Sequence, residues 1–175
     1  MENFNYTISS EDSAHHWGPI DVKNKIVLDL GCGRHDTTNL ESSSPIYLGL
    51  KGASKVIAVD QRQSEIDYFN ANNPDTNKYE FICKAISSTD DIRYFISKYN
   101  PEAIKCDIEE YERYFYDISK EDLKNVNEFA LEYHTIDIFE NMVKKFNEWG
   151  FMIHTRAYFD FVHAPQSGVV FGSKK

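Results

Sequence analysis

Apolar residues along this chain follow two rhythms. Short unbroken runs rich in β-branched residues alternate with longer stretches in which apolar positions recur every three or four residues. The first run, Ile26 to Leu30 in a strand expected at 25–30, ends abruptly at Gly31 and Gly33. The second, Lys55-Val-Ile-Ala-Val-Asp60, closes on a carboxylate. Further strands are expected at 79–84, 103–107 and 126–133. A helix opens at Pro45, with Ile46, Leu48, Leu50 and Ala53 as its apolar content. Another spans about 62–72, with Ile66 and Phe69 inward, and stops at Asn72-Asn73-Pro74. A third, 89–98, puts Ile92, Phe95, Ile96 and Tyr99 on one face. The clearest helix is 136–148, where Ile136, Phe139, Met142, Val143, Phe146 and Trp149 recur at helical spacing. Thr135 can cap it and Gly150 can end it. Two last strands, about 151–160 and 168–173, are joined by Ala164-Pro-Gln-Ser-Gly168, short enough for an antiparallel hairpin.

Strands alternating with helices predict an α/β domain, a parallel sheet covered on both faces, with the closing hairpin making one edge antiparallel. Residues 1–24 are polar and weakly patterned and read as an N-terminal flap, which leaves 25–175 as the domain. The polar segment Arg34 to Ser44 reads as a long loop. The acidic segment Glu109-Glu110-Tyr111-Glu112 is expected to start a helix.

Composition narrows the function classes. The 175 residues are 41% hydrophobic and 14% aromatic, enough for one folded core. A formal net charge of −9 and a pI near 5.1 disfavour capture of nucleic acid or of an anionic membrane. No apolar run reaches the roughly 20 residues of a membrane span, and the N-terminus lacks the basic start and apolar stretch of a signal peptide. Cys32, Cys83 and Cys106 form no Cys-x-x-Cys pair and read as reduced thiols, so a cytoplasmic location is expected.

Glycines directly after a buried strand let the chain turn sharply and let a ligand approach the backbone. A glycine turn after one strand and an acid at the tip of the next is how an α/β sheet grips a nucleoside, the acid taking the ribose hydroxyls. Asp29, Gly31, Cys32, Gly33 and Asp60 therefore form a candidate ligand site, with Gln61 beside it. A nicotinamide dinucleotide fits poorly: its third fingerprint glycine would stand at position 36, where the chain has Asp36, and a long loop separates Gly33 from the next helix. Asp107 falls at the carboxyl end of its strand, where open α/β sheets bind ligands. Glu132 and His134 share one face of the following strand by the period of two. Asp107, Glu132 and His134 together form a candidate catalytic cluster, with His134 able to act as a general base. A carboxylate–histidine set can also hold a divalent metal, and a strand-end histidine can equally be bonded to a backbone carbonyl; no metal is assigned. Glu109 and Glu112 either belong to this group or are a solvated helix start. His15 and His16 are either a lid over the ligand or plain surface.

Val27-Leu-Asp-Leu-Gly-Cys-Gly33 and Val56-Ile-Ala-Val-Asp60 resemble the first two motifs of the class I S-adenosylmethionine-dependent methyltransferases. Ile104-Lys-Cys-Asp-Ile-Glu-Glu-Tyr-Glu112, followed by Phe129-Ala-Leu-Glu-Tyr-His134, is similar to the narrower FkbM-type pattern, Asp-x-Glu-Gly-x-Glu and then a strand ending in Glu. Asp107, Glu109 and Glu112 match, and Glu110 stands in place of glycine. The resemblance, over roughly 25–155, implies a Rossmann-like three-layer sandwich with a seven-stranded sheet. It implies S-adenosylmethionine as cofactor, with Asp29 and the glycines facing the methionine part and Asp60 the ribose. Lys84-Ala85-Ile86-Ser87 occupies the adenine side; with no acid there, contact falls to backbone at Ala85 and to Ile86. Asp107 touches the methionine amine or a substrate hydroxyl. The implied activity is methyl transfer to an oxygen or nitrogen of a small molecule, in a chain that can form a homo-oligomer. The alternative is a protein of the same fold that binds the nucleoside without transferring a methyl group.

Overall fold

The computed structural model describes residues 4–8, 16–33, 40, 43–73, 75–159 and 167–174. Eight strands form one sheet: β1 Phe4–Ile8, β2 Ile26–Leu30, β3 Lys55–Asp60, β4 Tyr79–Cys83, β5 Ala103–Cys106, β6 Glu128–Tyr133, β7 Met152–Phe159 and β8 Gly168–Ser173. Among the described residues, four α-helices lie between strands: α1 Ser44–Leu50, α2 Gln63–Asn72, α3 Thr89–Tyr99 and α4 Ile136–Trp149. The strand order is β1-β7-β8-β6-β5-β2-β3-β4. β8 runs antiparallel to both β6 and β7, and every other pairing is parallel.

The seven expected strands all form. The eighth comes from the segment read as a flap: Phe4–Ile8 pairs parallel with β7 at the sheet edge. Residues 16–24 also enter the fold, with Trp17, Ile20 and Val22 fully buried. Expectations for His15, Asp36 and the loop around it, Pro74, and the linker from Ala164 fall outside the described residues.

Alternation along each strand divides the core in two. Val27, Val56 and Ala58 face α1, α2 and Trp17. Leu28, Leu30, Ile57, Ile104, Phe129 and Leu131 face α3, α4 and a 3₁₀ helix at Tyr111–Asp117. The two clusters and the sheet between them make three layers. In α1, Ile46 and Leu48 are buried while Leu50 is 65% exposed, so this seven-residue helix presents a narrower apolar face than its composition suggests. α4 is bounded as expected: Thr135 accepts from Ile138 N at 3.3 Å, and Gly150 takes φ +86° after the last turn. Ile136, at the first turn, is partly exposed.

The acidic segment departs from expectation. Instead of starting an α-helix, Glu109 and Glu110 take φ +54° and +74°, and a 3₁₀ helix follows. Position 110, where the FkbM-type pattern has glycine, thus adopts the left-handed backbone that glycine favours.

Phe129 anchors the larger cluster. Its ring lies 5.2 Å from Phe115, 5.2 Å from Phe146 and 6.1 Å from Trp149, within the range of favourable aromatic pairs. Phe129→Ala is expected to cost about 3–5 kcal/mol of unfolding free energy, the range for emptying a fully packed aromatic site. Chemical denaturation measures it, and a loss below about 1 kcal/mol would show that this cluster does not organise the core.

Candidate functional site

Chain order reverses between β2 and β5, and a cleft opens at the carboxyl ends of the central strands, where open α/β sheets bind ligands. It measures about 250 Å³. Four strand ends build it: Gly31 and Gly33 after β2, Asp60 to Arg62 at β3, Lys84 and Ile86 after β4, and Asp107 to Glu109 after β5.

Of the sequence-predicted residues, Gly31, Gly33, Asp60, Gln61, Ile86 and Asp107 line the cleft, and Asp29, Cys32 and Ala85 do not. Asp29 is fully buried beneath the glycine turn. Its Oδ2 accepts from Ser44 Oγ at 2.7 Å, and its Oδ1 lies 3.0 Å from Lys105 Nζ. Burial raises the Asp29 carboxyl above the usual range, and the Lys105 charge opposes that rise. Lys105 is equally buried. Burial opposes its charge, but Asp29 and then Asp107 outweigh burial and hold it above the ordinary lysine range. Its ammonium also donates to Gly31 O at 2.6 Å and sits 4.7 Å from the centre of the Trp17 ring. Cys32 is turned into the cluster around Trp17, and burial pushes its thiol well up. Ala85 is exposed beside the end of β4.

Gly31 takes φ +79°, and a Cβ there would lie 1.6 Å from the carbonyl oxygen of Asp107. The turn after β2 and the end of β5 are therefore packed backbone against backbone, which only glycine allows. At Gly33 a Cβ would meet Arg62 Nη2 at 1.5 Å. Arg62 reaches across Asp60: its backbone N donates to Asp60 Oδ1 at 2.8 Å and its Nε to the same oxygen at 3.1 Å. Among the described residues, Asp60 Oδ2 receives only the 3.4 Å contact from Nη2.

The three candidate catalytic residues meet. His134 Nε2 lies 3.7 Å from Asp107 Oδ1 and 3.7 Å from Glu132 Oε1. Glu109 Oε2 is 3.3 Å from the same nitrogen, and Glu112 Oε1 is 3.2 Å from His134 Nδ1. Glu112 is fully buried, so it is no solvated helix start. His16 is buried too rather than plain surface, and its Nε2 lies 2.8 Å from Glu132 Oε2. Burial would lower the His134 pKa, but contact with Glu112 and the charges of Glu132 and Asp107 push it up to about 9. Burial and then Asp107 raise the Glu132 carboxyl well above its usual range. Burial pushes His16 down to about 4.

Sequence reasoning missed Lys105 and Arg62, while Lys84, at the head of the segment expected on the adenine side, lines the cleft with Ile86. Lys105 had a signal, a lone charge inside the apolar strand Ala103-Ile-Lys-Cys. Arg62 follows Asp60 by two residues, within reach of its carboxylate, but such spacing is common at strand tips.

No family model matches the chain, and no curated protein matches it. Solved structures do. A putative S-adenosylmethionine-dependent methyltransferase from Listeria monocytogenes superposes with a TM-score of 0.63 at 14% identity, covering 95% of this chain and 100% of that one. SMU.1697c, a putative methyltransferase from Streptococcus mutans in complex with SAH, gives a TM-score of 0.58 at 16% identity over 89% of this chain and 92% of that one. Aeropyrum pernix fibrillarin, with natively bound S-adenosyl-L-methionine, gives 0.56 at 11% identity over 86% of this chain and 66% of its own. The chain therefore has the fold of the class I S-adenosylmethionine-dependent methyltransferases. Among the described residues, no helix is long and apolar enough to cross a membrane.

Two predictions follow from the site's charges. Lys105→Met leaves Asp29 buried without its cation and is expected to cost about 3–5 kcal/mol. The double variant Asp29→Leu/Lys105→Met is expected to lose less than Lys105→Met alone, and equal or greater loss by denaturation would show that the pair is not coupled. The second concerns pH. His134 binds its proton more tightly folded, with a pKa of about 9, than unfolded, near 6.5. Its stabilisation is fully present below about pH 6.5 and is lost as pH rises through about 9. In buffer containing EDTA the melting temperature is expected to fall across that window, and His134→Gln to remove most of the fall; an unchanged slope in the variant would assign the effect elsewhere.

Proposed function

We propose that the chain is an S-adenosylmethionine-dependent methyltransferase acting on an oxygen or nitrogen nucleophile of a small molecule. The observation that carries the reading is the convergence of the Gly31 turn, Asp60 and Asp107 on one cleft at the carboxyl ends of the central strands. The cleft fits the cofactor by its own chemistry. Asp60 keeps Oδ2 weakly engaged and able to accept from a ribose hydroxyl. Arg62, about half exposed, can rotate away to admit the sugar. Gly31 and Gly33 leave the backbone bare, and Ile86 offers an apolar wall on the adenine side. Asp29 serves from beneath, fixing the turn through Lys105, which donates to the Gly31 carbonyl.

When bound, the cofactor supplies a methyl group on a sulfonium, which is its own leaving group. The chain's task is to hold the acceptor in line and to receive its proton. Asp107 borders the cleft and can orient an acceptor O–H or N–H. Glu132 and His134 stand behind it as the proton-handling pair. With no cation bound, His134 is held charged at neutral pH and accepts a proton only after losing its own, so hydroxyl transfer through it would then quicken toward pH 9. An FkbM-type relationship is supported by the joint placement of Asp107, Glu109, Glu112 and Glu132, and by the left-handed backbone at Glu110. The net charge of −9 favours a small acceptor over nucleic acid. Three free cysteines agree with the reducing cytoplasm.

S-adenosylhomocysteine is expected to raise the melting temperature, since a ligand that binds only the folded state stabilises it, and NAD is expected to leave it unchanged. Asp60→Ala should weaken S-adenosylhomocysteine binding by about 1.5–3 kcal/mol, the range for a hydrogen bond to a charged group. A shift with NAD and none with S-adenosylhomocysteine in the thermal assay would overturn the reading.

A further inference from the structure

We infer that Asp107, Glu112 and His134 form a binding site for one divalent cation. They come from three separate places in the chain: the end of β5, the 3₁₀ helix and the residue after β6. Each offers a ligand atom, and the three atoms lie within 4.8 Å of one another. That spacing suits donors gathered around a single ion.

A second observation points to the ion. Glu112 is 0% exposed. Its Oε1 accepts from Ile108 N at 3.0 Å, but its Oε2 is buried with no hydrogen-bond partner among the described residues. A carboxylate oxygen buried without a donor carries its whole desolvation cost, and a cation is the partner that removes it. The surrounding charge agrees. Asp107, Glu109, Glu112 and Glu132 all approach His134 within 3.2–3.7 Å. Lys105 is 3.9 Å from Asp107 but is already committed to Asp29 and the Gly31 carbonyl. The carboxylates of Asp107 and Glu112, with the exposed Glu109 at their edge, thus face one imidazole and a shared ammonium, and a divalent ion adds positive charge where they meet.

Two carboxylates and an imidazole, with no sulfur, select a first-row divalent ion of the Mn²⁺ type over a soft-thiolate metal. Asp107 and Glu109 also line the cleft, so an ion can enter from it and present an open position to a bound acceptor. That last role rests on the methyltransferase reading; the binding itself does not.

The test uses the full chain, stripped with EDTA and freed of it, without cofactor. Titration with MnCl₂, followed by the electron paramagnetic resonance signal of free Mn²⁺, is expected to saturate at one ion per chain. His134→Gln and Asp107→Asn, checked for native circular dichroism, are expected to weaken binding at least about tenfold, by analogy with the loss seen on disturbing metal-site partners. Glu121→Gln, at an exposed surface pair, is expected to leave it unchanged. No saturable binding by wild type, or saturation that the folded His134 and Asp107 variants retain, would overturn the proposal. Mn²⁺ binding without any S-adenosylhomocysteine stabilisation would sink the methyltransferase reading and leave the ion site standing.

Discussion

The structure turns on one buried ion pair. Asp29 and Lys105 are register partners on β2 and β5, the adjacent strands between which the sheet reverses its chain order. Neither charge reaches water, so each is tolerable only because the other is present. The ammonium also holds the Gly31 carbonyl, and Gly31 in turn packs against the Asp107 backbone. One cation therefore ties together the glycine turn, the strand beneath it and the acid that borders the cleft. A hydrophobic pair would hold the two strands together at least as well. It could not orient the turn's carbonyl or place positive charge 3.9 Å from Asp107.

The acidic cluster is the counterpart of that arrangement. Asp107, Glu112 and Glu132 gather at one edge where burial strengthens the repulsions among them, with the exposed Glu109 beside them. With no cation bound, the chain relieves this by keeping His134 charged and Glu132 reluctant to ionise, with His16 neutral against it. A set of groups whose proton affinities are pushed apart by their surroundings is what acid–base work requires. It is also an unfavourable set to maintain for structure alone, because apolar residues would fill the same volume at lower cost.

Much of this was legible in the residues. Apolar runs ending in glycine or aspartate marked β2 and β3, and the spacing of Met142, Phe146 and Trp149 marked α4 with both its caps. The convergence of Asp107, Glu132 and His134 followed from strand ends alone, because neighbouring parallel strands deliver their carboxyl termini to one edge. What pattern could not supply was direction within a turn. Asp29 sits two residues before a ligand-facing glycine yet points beneath it, because alternation puts it on the face of Val27 and Trp17. Phe4–Ile8 was missed for another reason. An edge strand gains its place from its partner β7 rather than from its own weakly patterned residues.

The turn at Glu109 and Glu110 shows which of these demands prevails. Two successive non-glycine residues at positive φ cost on the order of 1–2 kcal/mol each. Glycine at position 110 would relieve part of that strain. Local hydrogen bonds return some of it: the Glu110 carbonyl accepts from Arg113 Nε at 2.8 Å, and Ile108 N donates to Glu112 Oε1 at 3.0 Å. The second bond is the informative one, since it turns the Glu112 carboxylate inward toward His134 rather than out to solvent. A helix continuing from β5 would have needed no strained residue. The backbone is held in an unfavourable conformation so that a carboxylate can be buried, and strain of that kind is kept where the surrounding packing serves a site.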